Sequence, residues 1–133
     1  MKKFSPISML LLLLVVVMLL AAGTMGFAET GKVTGTGADL TVTTGFVPSH
    51  VRVVNVNGSS MEWFNGMADD SAVKLTNATD GTARALTLAN GITPVPAVYN
   101  ATTGQVINTP GFAIGADTDV NVLANTIFYQ ADR

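Results

Sequence analysis

From Asp39 onward, apolar and polar side chains alternate in short runs. Leu40, Val42 and Thr44 alternate with Thr41 and Thr43, the period of a half-buried strand. Val51–Val56 is apolar on both faces apart from Arg52 and Asn55, as suits a central strand. Val73 and Leu75 point one way, Lys74 and Thr76 the other. Leu86 and Leu88 flank Thr87, and Ile127 and Tyr129 alternate with Phe128 and Gln130. Asn57-Gly58, Asn65-Gly66 and Asn90-Gly91 punctuate these runs, because Asn and Gly tolerate the positive φ of tight turns. Roughly six to eight strands at this spacing predict an all-β domain, an antiparallel β-sandwich or jelly-roll-like barrel. Its expected core includes Leu40, Val42, Val54, Trp63, Leu75, Leu86, Ile114 and Ile127. No segment after residue 28 has a helical period. Asp69–Ala72 and Asp119–Ala124 each fit a single turn at most.

The first 28 residues follow a different pattern. Met9–Ala22 is an unbroken apolar run, and no charge falls between Lys3 and Glu29. One N-terminal hydrophobic helix is expected here. Three readings stand side by side. A basic start, an apolar run and Gly26-Phe27-Ala28 before Glu29 make a secretory signal pattern. Ile7–Ala28 as a helix of about 1.5 Å per residue reaches about 33 Å, enough to anchor in a membrane. The same helix also suits assembly against copies of itself. Glu29–Ala38, with Gly31, Gly35 and Gly37, reads as a loose linker. The expected layout is therefore a leader at 1–28, a Gly/Thr linker at 29–38 and a β domain at 39–133. Within that domain Ile92–Pro110 holds Pro94, Pro96 and Pro110, residues that belong to sheet edges or loops. It reads as an exposed insertion, open to a binding role or to simple passage across the fold.

Charge narrows the function. Beyond Lys2 and Lys3 the chain has five basic and nine acidic residues, a net charge of −4. That balance argues against a nucleic-acid partner, which calls for clustered Lys and Arg. With no cysteine there is no disulfide, thiolate zinc site or thiol nucleophile.

The remaining chemistry is sparse. His50 is the sole histidine, and Ser49 sits too close in sequence to serve as its nucleophile. Ser59, Ser60 and Ser71 lack a nucleophile-elbow setting. Glu62 with Asp69 or Asp70 has no spacing that fixes a glycosidase pair. Asp117-Thr-Asp119-Val-Asn121 opens like a calcium loop. Val122 and Phe128 stand where an EF-hand requires glycine and glutamate. Asp and Asn instead fold their side chains onto nearby backbone and build tight turns. Gly35-Thr-Gly37 lacks the rest of a nucleotide fingerprint. Asn57, Asn77 and Asn100 open glycosylation triplets of the kind that an Asn- and Thr-rich chain produces by accident. The expectation is no enzyme: no catalytic, cofactor-binding or metal-ligating residue, and no cofactor.

Three blocks carry a resemblance. They are Gly45-Phe-Val-Pro-Ser-His-Val-Arg-Val-Val-Asn, Met61-Glu-Trp-Phe-Asn-Gly-Met, and Gly111-Phe-Ala-Ile-Gly-Ala-Asp-Thr-Asp-Val-Asn followed by Thr126-Ile-Phe-Tyr-Gln-Ala. Over residues 45–131 the chain resembles small β-sandwich virion structural proteins of tailed bacteriophages. The resemblance implies a capsid decoration or tail component that acts by assembly. Its partners would be copies of itself and other virion subunits, with membrane contact through residues 7–28 where these remain. The apolar leader departs from that pattern, since such proteins are normally made in the cytoplasm without one. Two other classes stay open: an exported β-sandwich binding module, glycan-binding for instance, and a membrane-anchored or filament-forming cell-surface subunit. The expected location is the virion, or else secretion or the cell surface.

Overall fold

The computed structural model describes residues 26–133. The leader and its expected helix lie outside the described residues, apart from Gly26–Ala28. Among the described residues no helix is long and apolar enough to cross a membrane.

The described chain is all β. In order the strands are β1 (Ala28–Thr34), β2 (Leu40–Thr43), β3 (His50–Asn55), β4 (Ser60–Phe64), β5 (Ser71–Ala78), β6 (Gly81–Val95), β7 (Val98–Tyr99), β8 (Val106–Asn108), β9 (Gly111–Ile114) and β10 (Thr126–Asp132). Eight of them form one antiparallel sheet in the order β1-β10-β3-β4-β5-β6-β9-β2, and β7 and β8 form a separate two-stranded ribbon. The sandwich expectation holds as far as an antiparallel all-β domain, but the strands hydrogen-bond in a single continuous sheet. That sheet curls until it is nearly closed. Phe112 on β9 and Tyr129 on β10, from strands near its opposite ends, meet edge to face with centroids 5.6 Å apart.

The core fills the inside of this curl. Val42, Val51, Val53, Met61, Trp63, Ala72, Ile92, Phe112, Ile114, Val120, Ile127 and Ala131 are buried. Four of the expected core residues are among them: Val42, Trp63, Ile114 and Ile127. Leu40 packs against the cluster while partly exposed. Val54 and Leu75 are half-buried on the outer face, and Leu86 is 60% exposed. The reason for Val54 is phase. Alternation allows only one face inward, and Arg52 shares the phase of Val54, so Val51 and Val53 turn in.

The expected linker is corrected outright. Ala28–Thr34 is an edge strand, paired residue by residue with β10 from Ala28↔Asp132 to Thr34↔Thr126. An edge strand on a finished core needs few apolar side chains, and only Val33 of β1 packs on the cluster. Its glycines make room for partners. A Cβ at Gly31 would strike the Tyr129 ring, and one at Gly35 would strike the Val122 carbonyl. The described sheet therefore already includes Ala28, ahead of Asp39.

Asn90-Gly91 also departs from expectation. Asn90 does have positive φ, at 57°, but the pair makes no hairpin. It lies inside β6, where the register jumps from Ala72↔Thr87 to Ser71↔Ile92. This irregularity divides β6. Gly81–Thr87 pairs with β5 as a projecting hairpin, and Ile92–Val95 pairs with β9 inside the barrel. Pro94 sits beyond the last β5–β6 pair, where a missing N–H breaks no ladder on that side. Part of the Ile92–Pro110 stretch is thus sheet. Asp69–Asp70 and the Asp119–Ala124 segment form turns and bends without a helix.

Candidate assembly surface

The side chains of two projecting elements remain largely outside the core. In the ribbon, Val98, Tyr99, Val106 and Ile107 are 45, 60, 55 and 65% exposed. On the β5–β6 hairpin, Leu86 and Leu88 are 60 and 74% exposed. A two-stranded ribbon is marginal by itself in water. Here it has two register pairs, Val98↔Asn108 and Tyr99↔Val106. Its tip is shaped by Asn100, whose Oδ1 accepts from the amides of Thr102 and Thr103 at 2.9 and 3.0 Å. These side chains leave apolar area outside the core that a contact with another molecule would cover.

The residues weighed for catalysis are engaged otherwise. His50 lies between two carboxylates: Nδ1 is 2.8 Å from Asp132 Oδ2 and Nε2 is 3.1 Å from Glu62 Oε1. The ring stacks on Phe64 with centroids 4.9 Å apart. Both nitrogens donate at once only in the imidazolium form. Burial lowers the His50 pKa, but the hydrogen bonds to Asp132 and Glu62 outweigh it and hold the group above its ordinary value. Asp132 is held below its ordinary value, chiefly by the bond to His50. Ser49 Oγ donates to the Asp132 carbonyl at 3.3 Å and not to the imidazole. Ser59 Oγ accepts from the Asn77 amide, and Ser71 Oγ donates to the Ala68 carbonyl. Glu62 and Asp70 have separate partners, since Asp70 Oδ1 accepts from the Gly91 amide.

The Asp117–Asn121 loop follows the expected turn chemistry. Asp117 Oδ1 accepts from the amides of Asp119 and Val120, both at 2.9 Å. Lys74 Nζ lies 2.6 Å from Oδ2 of Asp117 and 2.6 Å from Oδ2 of Asp119, so a tethered ammonium sits where the calcium-loop reading would put a cation. Burial lowers the Lys74 pKa, and the hydrogen bonds to Asp117 and Asp119 more than reverse this, leaving it raised. Among the described residues no group of three or more His, Asp or Glu side chains is placed to hold a metal ion.

Sequence reading missed three things here. The β5–β6 projection was hidden because its leucines alternate as core leucines do. The carboxylate partners of His50 come from 12 and 82 residues away, beyond any local signal. Lys74 and Asp117, 43 residues apart, are likewise joined only by the fold.

No family model matches the chain, and no curated protein and no solved structure matches it.

Proposed function

We propose that the protein is a non-enzymatic virion structural subunit, a capsid decoration or tail component, acting by self-assembly and contacts with other virion subunits. The observation that carries this reading is the apolar ribbon. The barrel buries its core without Val98, Tyr99, Val106 and Ile107, yet the chain presents them on a projection. A contact that covers them removes apolar area worth about 25 cal/mol per Å². His50 adds a supporting point, because each ring nitrogen faces a carboxylate and neither is left to serve as a general base. In this reading the curled sheet plays the part of the expected sandwich, and the part of residues 7–28 that lies ahead of β1 packs against lipid or neighbouring subunits where it remains.

The test is sedimentation of the full-length protein in mild detergent at micromolar concentration. The unchanged chain sediments as a homo-oligomer, most simply a trimer. Tyr99→Lys with Ile107→Lys in the ribbon sediments as a monomer, while its far-ultraviolet circular dichroism stays β-dominated. Monomers in both cases, with the chain absent from purified particles, would return the exported binding module as the better reading.

A further inference from the structure

The outer face of the sheet holds a concavity of about 230 Å³ lined by Arg52, Ser60, Glu62, Val73, Leu75 and Arg84. Its construction follows from the register. Two cross-strand pairs between β4 and β5, Ser60↔Leu75 and Glu62↔Val73, make the floor. Arg52 on β3 stands opposite Glu62, and Arg84 on β6 stands opposite Leu75. The arginines therefore rise from opposite sides, on strands about 14 Å apart at about 4.8 Å per step. Among the described residues the ion pairs belong to His50 and Lys74, and neither Arg52 nor Arg84 takes part in one. An acidic chain with five cations after the leader thus directs two of them, without ion-pair partners, at one hollow.

We propose that this concavity binds a sugar acid, a ligand of monosaccharide size carrying a single carboxylate. Guanidinium forks match a carboxylate in two-point geometry. The floor supplies what the rest of such a ligand requires. Ser60 offers a hydroxyl, and Glu62, oriented by the bond of its Oε1 to His50, offers its other oxygen to ligand hydroxyls. Val73 and Leu75 give the apolar face of a sugar ring a surface. Glu62 also sets the charge of the ligand. Its carboxylate opposes a second negative charge, so a hydroxylated monoanion fits better than a phosphate dianion. The volume equals roughly eight waters at about 30 Å³ each and lies below the 300–1,000 Å³ that is usual for drug-sized ligands. One sugar unit fits the hollow.

The experiment titrates galacturonate into the full-length protein in a polyoxyethylene detergent, which carries no sugar headgroup, and follows amide shifts by NMR. Saturable shifts confined to β3–β6 are expected, with millimolar affinity. Galactose should bind at least about tenfold more weakly, because it lacks the charge. Arg52→Ala and Arg84→Ala should each weaken binding about tenfold, and Arg84→Lys, which keeps charge but loses the fork, about threefold. Intact folding of each variant is read from Trp63 fluorescence, and the Lys variant decides the matter if an Ala variant unfolds. The proposal is overturned by any of three results: no saturable shift up to about 50 mM galacturonate, equal binding of galactose, or affinity that survives the arginine changes. Equal competition by inorganic phosphate would mark a nonspecific anion patch and also overturn it.

Discussion

Replacing Asn121 by Asp changes one amide nitrogen to oxygen and almost nothing in shape, yet it should nearly unfold the domain. Asn121 is fully buried between β9 and β10. Its Oδ1 accepts from the Thr36 amide at 3.0 Å. Its Nδ2 donates to the carbonyls of Ala38 at 2.6 Å and Gly115 at 3.0 Å, with Ile114 more distant at 3.4 Å. These bonds tie the chain crossing between the two edge strands to the end of the barrel. A carboxylate in that place would face carbonyl oxygens with no proton to give. The folded protein escapes by protonating the new Asp. Moving its pKa from about 3.9 to above 7 takes about three units at 1.36 kcal/mol each, or about 4 kcal/mol. Even the neutral acid has one O–H for two close carbonyls, adding about 1 kcal/mol or more. Against a total stability of about 5–15 kcal/mol this is severe. Asn121→Ala orphans the same carbonyls without a charge and should cost about 2 kcal/mol.

The two variants also separate by pH. The new Asp has a raised folded pKa, so its penalty is full at pH 7 and shrinks as pH falls toward the unfolded value, about 3.9. The Ala variant carries no such term. Urea unfolding of a chain truncated to residues 26–133, followed by the fluorescence of buried Trp63, reads both. With a slope of about 2 kcal/mol per molar urea, the Asp variant should lose about 2 M of midpoint at pH 7 and regain most of it near pH 4. Equal midpoints for the two variants at pH 7, or a deficit independent of pH, would refute the assignment of Asn121 as a buried donor.

Two further outcomes follow from the ion pairs. Lys74→Met leaves Asp117, with a side chain only 8% exposed, and Asp119, 38% exposed, without their shared cation. It should cost about 2 kcal/mol in the same urea assay, between the values for surface and buried pairs. His50→Gln should remove about 1 kcal/mol of stability within one pH window. The raised His50 pKa contributes fully below 6.5 and is lost as pH rises through the folded value. The lowered Asp132 pKa contributes above 3.8 and is lost as pH falls through its folded value. The difference between parent and variant, measured by thermal unfolding across pH, should therefore be largest between 3.8 and 6.5.

What the sequence revealed was whatever repeats locally. Period-two alternation identified β3 and β10 as strands, and the Asp and Asn side chains of the 117–121 loop behave as short-range turn formers should. The errors came where local pattern is silent about direction. In Val51-Arg52-Val53-Val54 hydrophobicity alone leaves the inward face undecided, and the charge of Arg52 is the one local clue to it. Leu86 and Leu88 alternate like core residues, although Leu86, opposite Val73, lies on the outer face of the sheet and both are exposed. Glu29–Ala38 looked structureless because glycine and threonine bury little. Gly31 is there because the Tyr129 ring covers it, and Tyr129 Oη in turn donates to Glu29 Oε1 at 2.9 Å, a relation spanning 100 residues. The lining of the Arg52–Arg84 hollow depends on four strands in register and has no linear signature.

The form of the sheet also constrains how copies could associate. A nearly closed sheet still ends in two edge strands, and bare edges invite strand addition. Here both edges are blunted. β2 has four residues, and β1 carries exposed Lys32 between Gly31 and Val33. The crossing between them is fastened to the barrel end, with the Gly35 amide donating to the Asn125 carbonyl at 2.8 Å and the Ala124 amide donating to Gly35 at 2.9 Å. Strand addition at either end would have to disturb these fastenings or bury a lysine. The ribbon offers the opposite case, a short paired element that already satisfies much of its own backbone and presents valine, isoleucine and tyrosine side chains outward. Association in the proposed subunit is therefore expected to run through side-chain packing on the ribbon, with the barrel itself unchanged between the free and assembled states.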